Sequence, residues 1–314
     1  MAHHLTQRGR LVAIVGPTAV GKSAIAIELG RRMAAGAEII SADSRLLYRG
    51  MDIGTAKPSA ADRARVPHHL IDVTDPDQPW SLARFQRAAF AAIDEVQPRR
   101  LPLLVGGTGQ YVRAVVQGWT VPRGEPDVSL RAELEAYAAE HGAAALHHQL
   151  ADRDPVAARR IDPRNVRRVA RALEFALTTG TPISEHQRQE APPYSILQIG
   201  LTLNRSVLYA RIDARADAMI AAGLVEEARA LAAKGYSWDL PAMSALGYKQ
   251  VGQHLRGEFS LADAIRRMKA ATRRFVRRQA AWFRPDDRRM VWHNADTLVV
   301  EALVREIDDW RAIN

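Results

Sequence analysis

The sequence contains no cysteine. Disulfides, thiolate-bound metals and cysteine nucleophiles are therefore excluded, and a reducing, cytoplasmic setting is expected. Long apolar runs are also missing: none approaches the ~18–20 residues that span a bilayer, and no leader-like segment opens the chain. No membrane association is expected. There are no repeats or low-complexity tracts, and Gly (20) and Pro (16) stand at ordinary levels in 314 residues, which excludes collagen-like and disordered chains. The length fits two domains, or one large domain with an insertion. Acidic residues are scarce relative to basic ones, 35 against 44, for a net charge of +9. Such an excess suggests a polyanionic partner.

The excess is concentrated. Residues 266–289 hold ten basic side chains against Asp286 and Asp287, a net +8, and residues 153–171 hold seven arginines against Asp154 and Asp162, a net +5. The rest of the chain sums to −4. Both windows read as helical. At about 100° per residue Arg266, Arg273, Arg277 and Arg284 share a stripe, with Met268, Ala271, Phe275 and Trp282 opposite. Almost no acids at i+4 neutralise the stripe, so a phosphate-contacting face is expected rather than a merely solvated one. Arginine suits bidentate phosphate contacts.

Short apolar runs alternate with helical periodicity. Strands are expected at 11–15, 37–42, 69–73, 101–105, 196–203 and 290–293, with helices at 21–34 and 80–96. This order predicts an α/β fold with a parallel sheet flanked by helices, functional groups gathering beyond the strands' carboxyl ends. From about 122 to 192 the sequence turns Ala/Arg/Glu-rich and helical, so a discontinuous core, 1–121 and 193–314, should enclose an all-helical insertion at 122–192. Trp119, Trp238, Trp292 and Trp310 read as packing residues. His68-His69 and His147-His148 lack a third ligand for metal binding.

Gly16-Pro17-Thr18-Ala19-Val20-Gly21-Lys22-Ser23 matches G-x-x-x-x-G-K-[ST] between a strand and a helix. In such a P-loop NTPase-like loop, backbone N–H groups curl around phosphates, the lysine adds charge and the serine hydroxyl can hold Mg²⁺. The loop implies a di- or triphosphate without implying hydrolysis. The strand-end aspartate that an NTPase uses for Mg²⁺ is not evident: residues 101–105 run into Gly106-Gly107-Thr108-Gly109, leaving Asp72 as a substitute. Asp43, where the second strand leaves the sheet, is either a structural cap or a general base facing the phosphate site.

These motifs, with Ser41-Ala42-Asp43-Ser44, the run Asp52-Ile53-Gly54-Thr55-Ala56-Lys57-Pro58, Gly106 to Tyr111, Leu246-Gly247-Tyr248-Lys249 and Thr272-Arg273-Arg274 continuing to Arg284, resemble the tRNA dimethylallyltransferase family in order along nearly the whole chain. The resemblance implies transfer of a dimethylallyl group from dimethylallyl diphosphate to N6 of adenosine 37, in the anticodon stem-loop of tRNA. It implies Asp43 as general base, Thr108 as positioner of the amine, and Lys22 with Ser23-bound Mg²⁺ on the diphosphate. A distal arginine, Arg211 or Arg215, would join the diphosphate. It also implies tRNA contacts from Asp43, Ser44, Arg45, Leu46, Thr108 and Arg131. Arg167, Arg168, Val169, Ala170 and Arg171 would add to these, with Ser244, Ala245, Leu246, Gly247, Tyr248 and Lys249. Arg277, Arg278, Gln279, Ala280, Ala281, Trp282, Phe283 and Arg284 complete the set. A monomer is expected. Two positions depart from the family pattern: Leu46, where many members carry Gln, and Gln110, where an apolar residue is commoner. The rival readings are an isopentenyltransferase for free adenine nucleotides, a small-molecule or nucleotide kinase and a non-catalytic RNA-binding module. The arginine-rich segments argue against the first, the Asp-Ile-Gly-Thr-Ala-Lys-Pro run against the second, and the Lys22, Ser23, Asp43, Thr108 set against the third.

Overall fold

Five apolar residues, Leu11 to Val15, run through the first strand, and alternate side chains bury on opposite sides of a sheet. In the computed structural model, which describes residues 9–121, 127–186 and 190–313, Val12 and Ile14 join one core, while Leu11, Ala13 and Val15 join the other. Both faces are therefore covered, as a parallel sheet requires. The chain divides into two compact units, Met1–Val116 with Pro192–Asn314, and Gln117–Ala191. The expected boundary near 122 falls on residues outside those described.

In chain order the elements of the first unit are β1 (Arg10–Val15), α1 (Lys22–Arg32), β2 (Ala37–Ser41), α2 (Ala60–Arg65), β3 (His68–His69), α3 (Leu82–Val96), β4 (Leu101–Gly106) and α4 (Gly109–Val116). The second unit holds α5 (Val128–His141), α6 (Ala143–Arg153), α7 (Pro155–Arg160), α8 (Val166–Thr179) and α9 (Ile183–His186). The first unit resumes with β5 (Ser195–Thr202), α10 (Arg205–Ala221), α11 (Leu224–Ala233), α12 (Tyr248–Leu255), α13 (Leu261–Ala280), β6 (Met290–Asn294) and α14 (Val300–Ile313). The sheet order is β3-β2-β4-β1-β5-β6 and every pairing is parallel. This is the expected α/β, P-loop NTPase-like architecture. The register sets Val15 beside Gly106, and Ser41 beside Val105, so the loops after β1, β2 and β4 open on one rim.

Three sequence expectations are corrected. The strand at 69–73 shrinks to two residues, because Leu70 and Asp72 take left-handed backbone (φ 61° and 57°) and the Asp72 carboxylate turns to Lys57 and Arg63. That ion cluster also removes Asp72 as a metal ligand. The basic window 266–289 is helical only to Ala280, so Trp282 and Arg284 leave the expected stripe. The window 153–171 is broken at 161–165 between α7 and α8. Pro163 disfavours helix at Asp162, and Asn165 caps α8 through the N–H of Arg168.

The helical unit builds its own core from Leu134, Leu146, Leu150, Val169 and Leu173. Buried Glu174 accepts from Arg131 at 2.5 Å and from the Asp127 N–H at 2.7 Å. Beneath α10–α13 of the first unit lies a third core of Met51, Met219, Leu224, Tyr248 and Met268. Here the Asp-Ile-Gly-Thr-Ala-Lys-Pro run has a structural reason. The Glu227 carboxylate accepts the N–H groups of Asp52, Ile53 and Gly54 and the Tyr248 hydroxyl. Lys57, almost fully buried, donates to the Tyr48 carbonyl and pairs with Asp52 and Asp72. A Cβ at Gly54 would stand 2.4 Å from the Tyr248 ring. Gly54→Ala should therefore destabilise the fold by about 2–3 kcal/mol, the usual cost of overpacking, read as a lower midpoint in urea or heat unfolding.

Candidate active site

The loop after β1 reaches α1 through Ala19 and Gly21, both in left-handed backbone (φ 65° and 107°), so Gly21 is the residue that opens the helix there. Lys22 follows as the first helical residue. Its ammonium donates to the carbonyls of Gly16 (3.0 Å) and Pro17 (2.8 Å), which folds it back over the loop. Burial pulls the Lys22 pKa down to about 8, Asp43 opposing the shift and Arg215 reinforcing it.

The loops after β2 and β4 are joined to each other. The Thr108 N–H donates to the Ala42 carbonyl, and the Ser44 N–H donates to the Thr108 hydroxyl at 3.0 Å. Asp43 closes an Asx turn, its Oδ1 accepting the Arg45 N–H at 2.9 Å. The Asp43 side chain thus orders its own turn and also lines the cavity. The Arg45 guanidinium donates to the Pro241 carbonyl and the Ser244 hydroxyl, pinning residues 241–244 beside it.

These groups surround a cavity of about 400 Å³. One wall is polar: Thr18, Asp43, Ser44, Thr108 and Arg215. Another is apolar: Ile212, Ala216, Met219, Met268 and Phe275, from α10 and α13. No motif marks this apolar wall, because its residues are ordinary helix-core types until the fold turns them toward the loops.

The structure separates the two candidate arginines. Arg215 is half-buried in the cavity wall, its pKa lowered by burial and partly restored by Asp43. Arg211, one turn earlier on α10, is exposed and paired with Asp296 at 2.6 Å, outside the cavity lining. Arg211 is thus removed from the diphosphate set.

The tRNA-contact runs divide in the same way. Ser244, Lys249, Arg167, Arg168, Arg171, Arg277, Arg278, Ala280, Ala281 and Arg284 are exposed. Leu46, Val169, Ala170, Ala245, Gly247, Tyr248, Gln279 and Phe283 are buried and cannot present their side chains to a macromolecule. Ala245 still faces the cavity, as does half-buried Leu246. Arg131 is committed to Glu174. Burial of Leu46 also answers its departure from the family pattern: an apolar side chain there packs rather than reads. Gln110 is exposed on the cavity rim.

Sequence reasoning also overstated how free the basic stripe is. Asp213 and Asp217 of α10 pair with Arg273 and Lys269, and Asp263 pairs with Arg266. Arg274, Arg277 and Arg278 remain exposed, without an ion pair among the described residues. Trp282 sits on the start of α4, where a Cβ at Gly109 would meet its indole at 2.1 Å. Arg113 lies over its ring, 5.2 Å from the centroid, and donates to its carbonyl.

No three His, Asp or Glu side chains among the described residues converge to hold a metal. Ser23, in the first turn of α1, offers a hydroxyl beside the loop. That donor suits a Mg²⁺ ion whose remaining ligands are diphosphate oxygens and water.

A model of the IPP transferase family matches residues 46–286. The chain belongs to the IPP transferase family. It is 56% identical to a tRNA dimethylallyltransferase of Roseiflexus sp. (strain RS-1) over 275 residues, 87% of this chain and 90% of that protein. It is 52% identical to that of Chloroflexus aggregans over 304 residues, 96% and 98% of the two chains. Among solved structures, the full-length tRNA isopentenylpyrophosphate transferase of Bacillus halodurans has 43% identity and a TM-score of 0.69, with 96% and 95% coverage. A eukaryotic dimethylallyltransferase acting on tRNA has 25% identity and a TM-score of 0.81, with 98% and 80% coverage. The family model begins at residue 46, downstream of the phosphate loop and Asp43. Its match therefore does not rest on the loop that P-loop proteins share.

The depressed Lys22 pKa gives this IPP transferase site a testable signature. A diphosphate favours the ammonium form, so affinity is full below about pH 8 and falls as pH rises through that value. Calorimetric titration with dimethylallyl diphosphate should show binding weakened roughly five- to tenfold between about pH 8 and about pH 9. Lys22→Met should bind weakly at both and lose the slope.

Proposed function

We propose that this chain transfers the dimethylallyl group of dimethylallyl diphosphate to N6 of adenosine 37 in tRNA, releasing diphosphate. The observation that carries the proposal is the placement of Arg215 and of Asp43 with Thr108 around one cavity that also has an apolar wall, with Lys22 folded over the loop that borders it. The diphosphate lies at the phosphate loop and the five-carbon group against Met219, Met268 and Phe275. The acceptor amine comes to Thr108 and Asp43.

The allylic C–O bond breaks with its electron pair passing to the diphosphate, whose growing charge meets Lys22 and Arg215. The N6 lone pair forms the new C–N bond, and the N6 proton passes to the Asp43 carboxylate. Thr108 holds the amine through its hydroxyl oxygen. The Ser23 hydroxyl would hold a Mg²⁺ ion, which would supply further charge neutralisation at the leaving group. Water needs no activation, which matches the commitment of Asp72 to Lys57 and Arg63.

The acceptor base must leave its stack to reach this cavity, and an anticodon loop offers unstacked bases. Arg274, Arg277 and Arg278 of α13 then meet the phosphate backbone, as do Arg167, Arg168 and Arg171 of the helical unit. Gln110, free at the rim, faces the incoming RNA. No helix among the described residues is long and apolar enough to cross a membrane. The absence of cysteine fits action in a reducing, cytoplasmic setting.

Labelled dimethylallyl diphosphate, offered with Mg²⁺ and separately with unmodified tRNA or with AMP, ADP and ATP, tests this reading. Label should enter tRNA at adenosine 37; label in free nucleotides would overturn it. Asp43→Ala should lower kcat by about 10²–10⁴-fold while diphosphate affinity changes little. Replacing Arg274, Arg277 and Arg278 together by Gln should weaken tRNA binding and flatten its salt dependence by roughly two to three phosphate contacts. Restored affinity at low salt with an unchanged slope would remove that face from the interface.

A further inference from the structure

Gln279 is the penultimate residue of α13, and it is 3% exposed. A buried carboxamide must satisfy one acceptor and two donor hydrogens, so its partners define what it does. Its Oε1 accepts the Thr18 N–H of the phosphate loop at 2.9 Å, and its Nε2 donates to the Gly107 carbonyl at 2.9 Å. Thr18 belongs to the loop after β1 and Gly107 to the loop after β4, immediately before Thr108. One side chain therefore ties the diphosphate-holding loop to the amine-holding loop. A Cβ at Gly107 would lie 2.4 Å from the Gln279 Nε2, so the absence of a side chain at Gly107 is what admits the carboxamide. The main chain of the same residue is equally committed: its carbonyl accepts the N–H groups of Trp282 (2.9 Å) and Phe283 (3.1 Å), and Phe283 is buried in the core. Gln279 is anchored on one side and bonded on the other.

We infer that Gln279 is a positioning residue that sets the separation of the allylic carbon from the acceptor amine, by bridging Thr18 to Gly107. The inference rests on the transfer reaction proposed above. It gives the buried member of an otherwise exposed arginine segment a task that does not involve touching RNA. The residues one and two positions earlier, Arg278 and Arg277, are exposed. The helix that meets phosphates outside thus ends inside as the spacer between the two substrates.

Because the bridge fixes relative position rather than charge, its loss should appear in the chemical step and not in the affinities. A displacement of about 1 Å between reacting groups costs up to about 10²-fold in rate. Gln279→Met keeps the side chain's length and packing and removes both hydrogen bonds. Gln279→Leu, also uncharged and close in volume, likewise removes both hydrogen bonds. In single-turnover transfer to tRNA, with active sites counted by bound dimethylallyl diphosphate, both variants should lower the rate constant by about ten- to a hundredfold. Their Kd values for dimethylallyl diphosphate and for tRNA should stay within about threefold of wild type.

Wild-type rate per active site in Gln279→Met would overturn the inference. So would parallel losses of both affinities and rate, which would mark a residue serving only the fold. If Gln279→Met does not fold, Gln279→Leu decides the matter by the same two measures. Failure of the wild-type protein to transfer label to tRNA would instead sink the proposed function, so the two failures are distinguishable.

Discussion

The parallel pairing of β1 with β4 is the constraint on which the site depends. Because Val15 stands opposite Gly106, the loop that curls around a phosphate and the loop that carries Thr108 leave the sheet as immediate neighbours. The β2–β4 pairing then places Asp43 on the same rim, and backbone contacts from Ala42 and Ser44 to Thr108 join the pair. Nothing about the individual motifs requires them to be close. The ladder of hydrogen bonds beneath them does, and the fully buried strand residues on both faces hold that ladder in one register.

Above this rim the protein adds two layers of different physics. The first is a set of polar ties between distant segments: Glu227 gathering three amides of the Asp52–Gly54 turn, Arg45 gripping residues 241–244, and Gln279 spanning the two loops. Each satisfies groups that burial would otherwise leave costly. The second is apolar, the wall from α10 and α13, which on the proposed reaction would set a small hydrocarbon beside a multiply charged diphosphate. A site that must hold both ends of an allylic diphosphate needs both layers.

What was legible in the sequence was local. The runs that became β1, β2, β4 and β5 end at glycine, aspartate or a turn within a residue of where the structure ends them, and the phosphate loop is contiguous, so its chemistry could be read directly. What was not legible depended on distant partners. Arg211 and Arg215 share a helix face, and only Asp296, 85 positions away, distinguishes them. The basic stripe of α13 looked unneutralised because its acids lie on α10. The length of β3 could not be read because Asp72 answers to Lys57 and Arg63 rather than to its own periodicity. The matched runs treated neighbours such as Arg278 and Gln279 alike, whereas a helix turns successive residues toward water and core in turn.

The helical unit has a feature whose meaning extends beyond this chain. Near its two ends the Glu190 N–H donates to the Gly118 carbonyl at 2.9 Å, so the segment departs and returns through a single point. A polymer loop whose ends already touch adds little closure entropy to its host, and that increment grows only slowly with length. Elongation, trimming or exchange of the segment would leave the sheet's folding thermodynamics nearly unchanged. The helical unit is therefore a part of the molecule that evolution can rebuild with little disturbance to the sheet.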